Sequence, residues 1–468
     1  MTEMLFKTAH LLAYTYLVVF YYLAINRRIN FPTAMNLFIL GQIPVFIGTV
    51  LLADVFGREF DPTRMLSMLV GTVLLVAGCA TANRVLSFEP RREFKSYMDR
   101  PAVFDLHGGV YLWLVILMGI IACIVGQVFV SAIGYNMPLA LLDTYLATGS
   151  RAETAIVYGT LRTWTLRHPE RYVAPGYTSQ FIIVLLPLVF YLLYSRVLVL
   201  KRIPDKILAF VFLLACIYFG TVRGIRGHVV LFTITFLTLT SQKYGPLGKL
   251  IGSSHSRLPL LTAILAGGSY VMFTLLGRLG ATTASSVWDV FSTMIAELFN
   301  RVVFVTAYAQ LRAMEYLHTL PLGWGRGWVQ SLSGVLPGSA PNLSGEIYRM
   351  VFGGGYGSGP VDIWSSIWLE FGWLGTILVP FVLGFLLQWF SILSLRGGKT
   401  VSRSVILFVS SFSLMQVHEP IALFNSGFIT LMIYYWLARI VKHFEQRANI
   451  ERHVPRTEPY PGPREMVV

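Results

Sequence analysis

Charge is what this sequence has least of. Only 13% of its 468 residues are Asp, Glu, Lys or Arg, against roughly 25% in soluble domains, which excludes a large water-exposed protein. Acid is scarcer than base, 23 residues against 37, leaving a formal net charge of +14. Cysteine is scarce too. Cys79, Cys123 and Cys216 each lie inside an apolar run, with neither a disulfide framework nor metal-ligand spacing, so they are expected to be small buried hydrophobes. Two glycine-rich stretches, Pro321-Leu-Gly-Trp-Gly-Arg-Gly-Trp328 and Gly353-Gly-Gly-Tyr-Gly-Ser-Gly-Pro360, lack the Lys-Ser/Thr of a phosphate loop and are expected to be turns. The chain shows no internal repeat and no long cytoplasmic domain.

What it has is hydrophobic length. Hydrophobic residues make up 55% of the chain, and they gather in runs of about 20, enough to cross roughly 30 Å of hydrocarbon as helix. The expected fold is therefore a single all-α polytopic membrane domain over residues 1–468. The runs are 8–25, 33–53, 65–83, 109–131, 178–195, 206–222, 228–241, 258–277, 371–391, 403–417 and 421–438, which makes eleven spans. The first lacks a cleavage signature and is expected to be a retained span rather than a signal peptide. The segment 287–320 also has helical periodicity, and if it re-enters the membrane the count is twelve.

Basic residues separate the connections. Arg27 and Arg28, the 84–100 segment, Arg196 to Lys206, Lys243 to Arg257, Arg396 to Arg403 and the tail 439–468 hold 23 of the 37 Lys and Arg. The positive-inside rule assigns these to the cytoplasm. The excess of basic charge then reads as membrane topology, and no nucleic-acid partner is expected. The other side receives the N-terminus, the 54–64 loop, two long loops (135–176 and 278–370), the 223–227 corner and His418-Glu-Pro420. Connections this long usually carry structure or function. Ser150-Arg-Ala-Glu153 fits a capping box, opening a helix to Arg167 that carries Tyr158, Arg162 and Trp164.

Chemistry-bearing residues collect on that outer side. In Gly220-Thr-Val-Arg-Gly-Ile-Arg-Gly-His228, Arg223 and Arg226 are one helical turn apart among glycines that permit close approach. A guanidinium pair suits a diphosphate; snorkelling to phospholipid headgroups is the plainer alternative. Arg278 follows a span at the same depth. Glu297, Asn300 and Arg301 lie within one turn of an apolar segment, as an internal ion pair or as a site. His418 and Glu419 precede Pro420 at a span end, where either could act as a base or simply cap a helix. Trp324, Trp328, Tyr348, Tyr356 and Trp364 crowd the second long loop, as an interfacial belt or a saccharide groove.

Ser365-Ser-Ile-Trp-Leu-Glu-Phe-Gly-Trp-Leu-Gly375, closing that loop and opening a span, resembles the matching segment of bacterial O-antigen and polysaccharide polymerases of the Wzy type. The arginine-bearing corner at 220–227 is similar to a region those enzymes share with O-antigen ligases. The resemblance spans roughly residues 200–440. It implies a GT-C-like, metal-independent glycosyltransferase in the bacterial inner membrane with its two long loops in the periplasm. It implies that the enzyme transfers a growing glycan from undecaprenyl diphosphate to a new lipid-linked repeat unit. No cofactor is implied; membrane lipids and a chain-length regulator are the implied partners. On this expectation Arg223, Arg226, Arg278 and Arg301 bind diphosphate, and Glu419, His418 or Glu297 serves as base. The alternatives are an O-antigen ligase, with a lipid A-core acceptor, and a lipid-linked oligosaccharide flippase.

Overall fold

The computed structural model describes residues 2–27, 33–55, 62–99, 109–167, 180–222, 300–305, 322–332, 363–397 and 431–437, with isolated positions between and beyond these. They form helices throughout. In chain order these are α1 (Thr2–Phe20, continued by a π-helical turn Tyr21–Ile25), α2 (Ala34–Val55), α3 (Pro62–Val85), α4 (Pro90–Asp99), α5 (Val110–Ile133), α6 (Met137–Thr148) and α7 (Arg151–Arg167). After them come a π-helical turn Gln180–Leu185 leading into α8 (Leu186–Leu200), then α9 (Ile203–Thr221), a π-helical turn Asn300–Val305, α10 (Arg326–Leu332) and α11 (Ile363–Gly397). Seven of the described helices are long and apolar enough to cross a membrane.

Exposure along α5 shows why an all-apolar helix is stable there. Tyr111, Val115, Gly119, Ala122, Gly126, Phe129 and Ile133 face the protein core, while Trp113, Leu117, Ile120, Ile124 and Val128 on the opposite stripe are exposed. Both stripes repeat every three or four residues, one matched to protein and one to lipid tails.

One layer consists of α1, α2, α3 and α11. Helices α3 and α11 run parallel at close range, because Gly78 lies against the Phe381 carbonyl and Gly384 against the Leu75 carbonyl. Without side chains at these crossings the backbones approach as small residues allow in membranes. Gln388 Nε2 donates to Asn83 Oδ1 at 2.7 Å, and Asn83 Nδ2 to the Ile25 carbonyl at 3.4 Å, joining the ends of α11, α3 and α1. The Met35 N–H at the start of α2 donates to Ser391 Oγ at 3.3 Å near the end of α11. Arg396 then ties α4 down: it donates to Glu93 Oε1 at 2.8 Å and to the Leu86 carbonyl at 3.1 Å, and it lies over the Phe88 ring. Arg27, Arg84, α4 and Arg396 thus share one end of the bundle, so three of the six connections that the charge rule grouped are together in space.

The other layer is α5, α8 and α9, with Phe232, Ile406, Leu431 and Tyr434 added to its core. Leu431 and Tyr434 face this layer, and Met432 packs on the first one, so the 431–437 helix lies between the two. Arg196 Nε donates to Asp205 Oδ1 at 2.6 Å across the turn from α8 to α9, with both residues buried. In the sequence Arg196 is one of the basic residues that mark the cytoplasmic side. At the opposite ends of these helices, α6 and α7 fold on each other through Met137, Leu141 and Tyr158. Half of the expected capping box is present: Ser150 Oγ accepts the Glu153 N–H at 3.3 Å, while the Ser150 N–H donates to Thr148 Oγ1 at 3.1 Å, and α7 runs to Arg167. All three cysteines are free thiols, with Cys79 and Cys216 buried.

Two expectations about spans need adjustment. The span expected to begin at residue 371 is preceded by eight more helical residues, because α11 starts at Ile363. In the 287–320 segment, the described positions are helical, and the Val303 carbonyl and Ala307 press on Gly48 in the middle of α2. This part of the second long loop therefore packs against a spanning helix. The expected spans 228–241, 258–277 and 403–417 lie outside the described residues apart from Phe232 and Ile406.

Candidate functional site at the head of α11

The longest described helix is not straight. Gly372 has φ 55° and ψ −138°, a left-handed conformation that favours glycine. Ile367 touches the Cβ direction of Gly375, eight residues later, although a straight helix would hold such residues about 12 Å apart. The segment 363–371 therefore folds back along the rest of α11. Its depth follows from its neighbours: the Trp364 ring and Pro380 both lie against Gly71 of α3. The second long loop, expected to stay outside through residue 370, returns into the bundle before its spanning helix begins.

A helix interrupted in this way leaves terminal carbonyls without partners. The glycine-rich turn supplies them. The Gly323 N–H donates to the Leu369 carbonyl at 3.2 Å, and the Trp324 N–H to the Glu370 carbonyl at 2.6 Å. In return the Glu370 side chain, 2% exposed, accepts the Gly327 N–H in the first turn of α10 at 3.2 Å. One residue thus satisfies two helix ends, as acceptor with its backbone at one and with its carboxylate at the other. Gly323 and Gly327 are required by this packing, since a Cβ on either would occupy the space of the carboxylate. The Gly-x-Gly-x-Gly pattern is a cradle for the protein's own carboxylate.

The tryptophans expected to form a groove separate into different roles. Trp364 is 6% exposed, with its ring edge-on to Phe38 and its Nε1 donating to Gln42 Oε1 at 2.9 Å. Its surroundings are Tyr14, Phe38, Gln42, Thr72 and Leu75, all from spanning helices. Trp328 is half-buried; it donates to Ser366 Oγ at 2.9 Å and meets Phe371 edge-on. Trp324 is 68% exposed at φ 52°, an uncommon conformation for a bulky residue, and Arg326 beside it is exposed as well. Of these three rings, Trp324 alone is presented openly to a ligand. Tyr348 and Tyr356 lie outside the described residues.

The helix that leads to the arginine corner has a neighbour at its end. Val222, fully buried, accepts the Met137 N–H at 3.2 Å, so the start of α6 lies against the residue preceding Arg223. The first long loop therefore reaches the end of α9, where Val222 is the last described residue before the corner. Arg223, Arg226, Arg278, Glu297, His418 and Glu419 themselves lie outside the described residues. Arg301 falls in the π-helical turn that packs on α2.

Glu370 is not among the site residues expected from the sequence. Its signal was present, because an acidic residue within an apolar helix-forming run is costly unless its carboxylate finds partners. Lys7 and His10, buried near the start of α1, carry the same signal.

These features define an all-α, multi-pass membrane protein with a folded-back helix and a carboxylate-locked turn at one end of the bundle. No family model, curated protein or solved structure matches the chain.

Proposed function

We propose that this protein is a membrane-embedded, GT-C-like polysaccharide polymerase that extends a glycan carried on undecaprenyl diphosphate at the outer face of a bacterial inner membrane. The observation that carries this reading is the 365–375 segment. The stretch that resembles the polymerases is also the stretch that forms the folded-back head of α11 and holds the glycine turn through Glu370. A second support is position. Short connections join consecutive spans, so the head of α11 and the Val222 corner fall at the end of the bundle opposite the basic connections.

The chemistry proceeds by displacement at the donor's anomeric carbon. The acceptor hydroxyl oxygen forms the new glycosidic bond, its proton passes to a base, and the bond to the diphosphate oxygen breaks. The base is Glu419, His418 or Glu297. Negative charge grows on the leaving lipid diphosphate, and fixed guanidiniums stabilise it because they need no reorganisation during the reaction. Arg223 and Arg226, with Arg278 and Arg301, supply these cations. The boundary depth expected from sequence for Arg223, Arg226 and Arg278 suits the substrate, whose polyprenyl tail keeps its phosphates at the membrane boundary.

The test is reconstitution of the purified protein with lipid-linked repeat units, with and without lipid A-core, and display of the products on a gel. A ladder of polymers is expected from the wild type, and its loss from an Arg223→Ala, Arg226→Ala double variant. An unchanged ladder from that variant, at matched protein levels, would remove the diphosphate role; transfer only to lipid A-core would make the enzyme a ligase.

A further inference from the structure

We infer that the Glu370-locked turn is a saccharide-binding edge: Glu370 is a positioning residue that holds Trp324 and Arg326 in place to receive a sugar ring of the lipid-linked substrate. The inference deepens the polymerase reading and rests on it for the identity of the substrate.

Three observations converge on the turn. Its backbone is held at both ends, by the Trp324 N–H on the Glu370 carbonyl at 2.6 Å and by the Gly327 N–H on the Glu370 carboxylate at 3.2 Å. The carboxylate is enclosed by Gly323 and Gly327, which have no side chains to displace it. Between these anchors the chain holds an aromatic residue at positive φ with its ring in the open. Such a conformation is costly for a bulky residue and persists where its surroundings enforce it. Folding alone would favour burying the ring of Trp324 or replacing that residue by glycine.

The residues presented suit a sugar. An indole face offers a flat apolar surface for the C–H face of a pyranose, and its ring needs little ordering on binding. Two residues on, the Arg326 guanidinium can donate paired hydrogen bonds to vicinal hydroxyls or to the carboxylate of an acidic sugar. Beneath them Trp328 is fixed by Ser366 and Phe371, so the platform is braced from the bundle side. Rigid support of this kind is what lets a site on a loop bind with little loss of freedom.

The experiment uses the full-length solubilised chain and, as probe, lipid-linked oligosaccharide extracted from the cells that make the protein. Wild type, Trp324→Ala, Arg326→Ala, Glu370→Gln and Glu370→Ala are compared by equilibrium binding, by polymerisation kinetics and by hydrogen exchange of peptides covering 322–332. Trp324→Ala and Arg326→Ala are each expected to weaken binding and raise KM about tenfold, one such hydrogen-bonded or stacked contact. Neither should change kcat or exchange. Glu370→Ala should weaken binding to the same degree and speed exchange in 322–332 while leaving α8 and α9 protected. Glu370→Gln, which keeps an acceptor for Gly327, should recover much of both. If Glu370→Ala unfolds the chain, Gly327→Ala replaces it, since the added Cβ displaces the carboxylate locally.

Wild-type affinity in both Trp324→Ala and Arg326→Ala would overturn the inference, even if polymer is made. So would unaltered exchange in 322–332 when Glu370 or Gly327 is changed. The expected binding losses without any polymer would leave the edge in place and remove the polymerase reading. Failure of the wild type to bind the extract would remove both.

Discussion

At the scale of single residues, buried charge carries most of the information. Arg196 and Asp205 are paired at 2.6 Å with both side chains removed from water. Breaking such a pair leaves an uncompensated charge, whereas replacing both partners with apolar residues is often tolerated. Arg196→Ala is therefore expected to destabilise the protein by about 3 kcal/mol, read as a drop in Tm in detergent. An Arg196→Met, Asp205→Leu double variant should regain most of that loss. A double variant no more stable than the single one would show that the turn depends on the ion pair itself. The two residues were visible in the sequence, but Arg196 looked like one more basic residue at a span end. Whether an arginine meets headgroups or a carboxylate depends on the residue that a neighbouring helix brings to it.

Elements show the same division. Helix α5 was evident from its apolar length alone, and the Ser150 cap from the spacing of Ser150 and Glu153. The break in α11 was not evident. Gly372 lies among Phe371, Trp373 and Leu374, and the hydropathy of such a run carries no sign of backbone direction. The break needs the Gly323 and Trp324 N–H groups, some fifty residues upstream, to donate to the carbonyls of the broken helix end. Small residues at helix crossings present a similar case. Gly78 and Gly384 look like weak points in helices, yet they set the distance between α3 and α11. Gly78→Leu or Gly384→Leu is expected to force these helices apart at a cost of about 1–3 kcal/mol or more. Size-exclusion profiles and thermal stability would reveal the change. A variant at either position as stable as wild type would mean that the crossing relaxes freely.

For the whole molecule, the grouping of the basic connections predicts sidedness. Arg92 on α4 is exposed at the end that carries Arg27, Arg84 and Arg396, while Ser150 precedes α7 at the opposite end. Cysteines introduced one at a time should respond differently to a membrane-impermeant maleimide applied to intact spheroplasts. Ser150→Cys should be labelled and Arg92→Cys should react only after permeabilisation. The two buried native thiols should contribute little background. The reverse pattern would invert the protein and place the head of α11 on the cytoplasmic side, where the proposed reaction does not occur.

The sequence by itself determined that this chain is all-helical and crosses a membrane several times, and it grouped the connections by side. Those properties follow from composition and from charge counted along the chain, because bilayer thickness and backbone hydrogen bonding leave few alternatives. Only the tertiary structure decided that Trp364 is a core residue, that Trp324 is open, and that Glu370 rather than a ligand fills the glycine cradle. Each of these depends on which distant backbone groups come together, and local patterns of residue type do not encode that distance. The Gly-x-Gly-x-Gly turn offers backbone donors in either case; the fold of α11 determines what they meet.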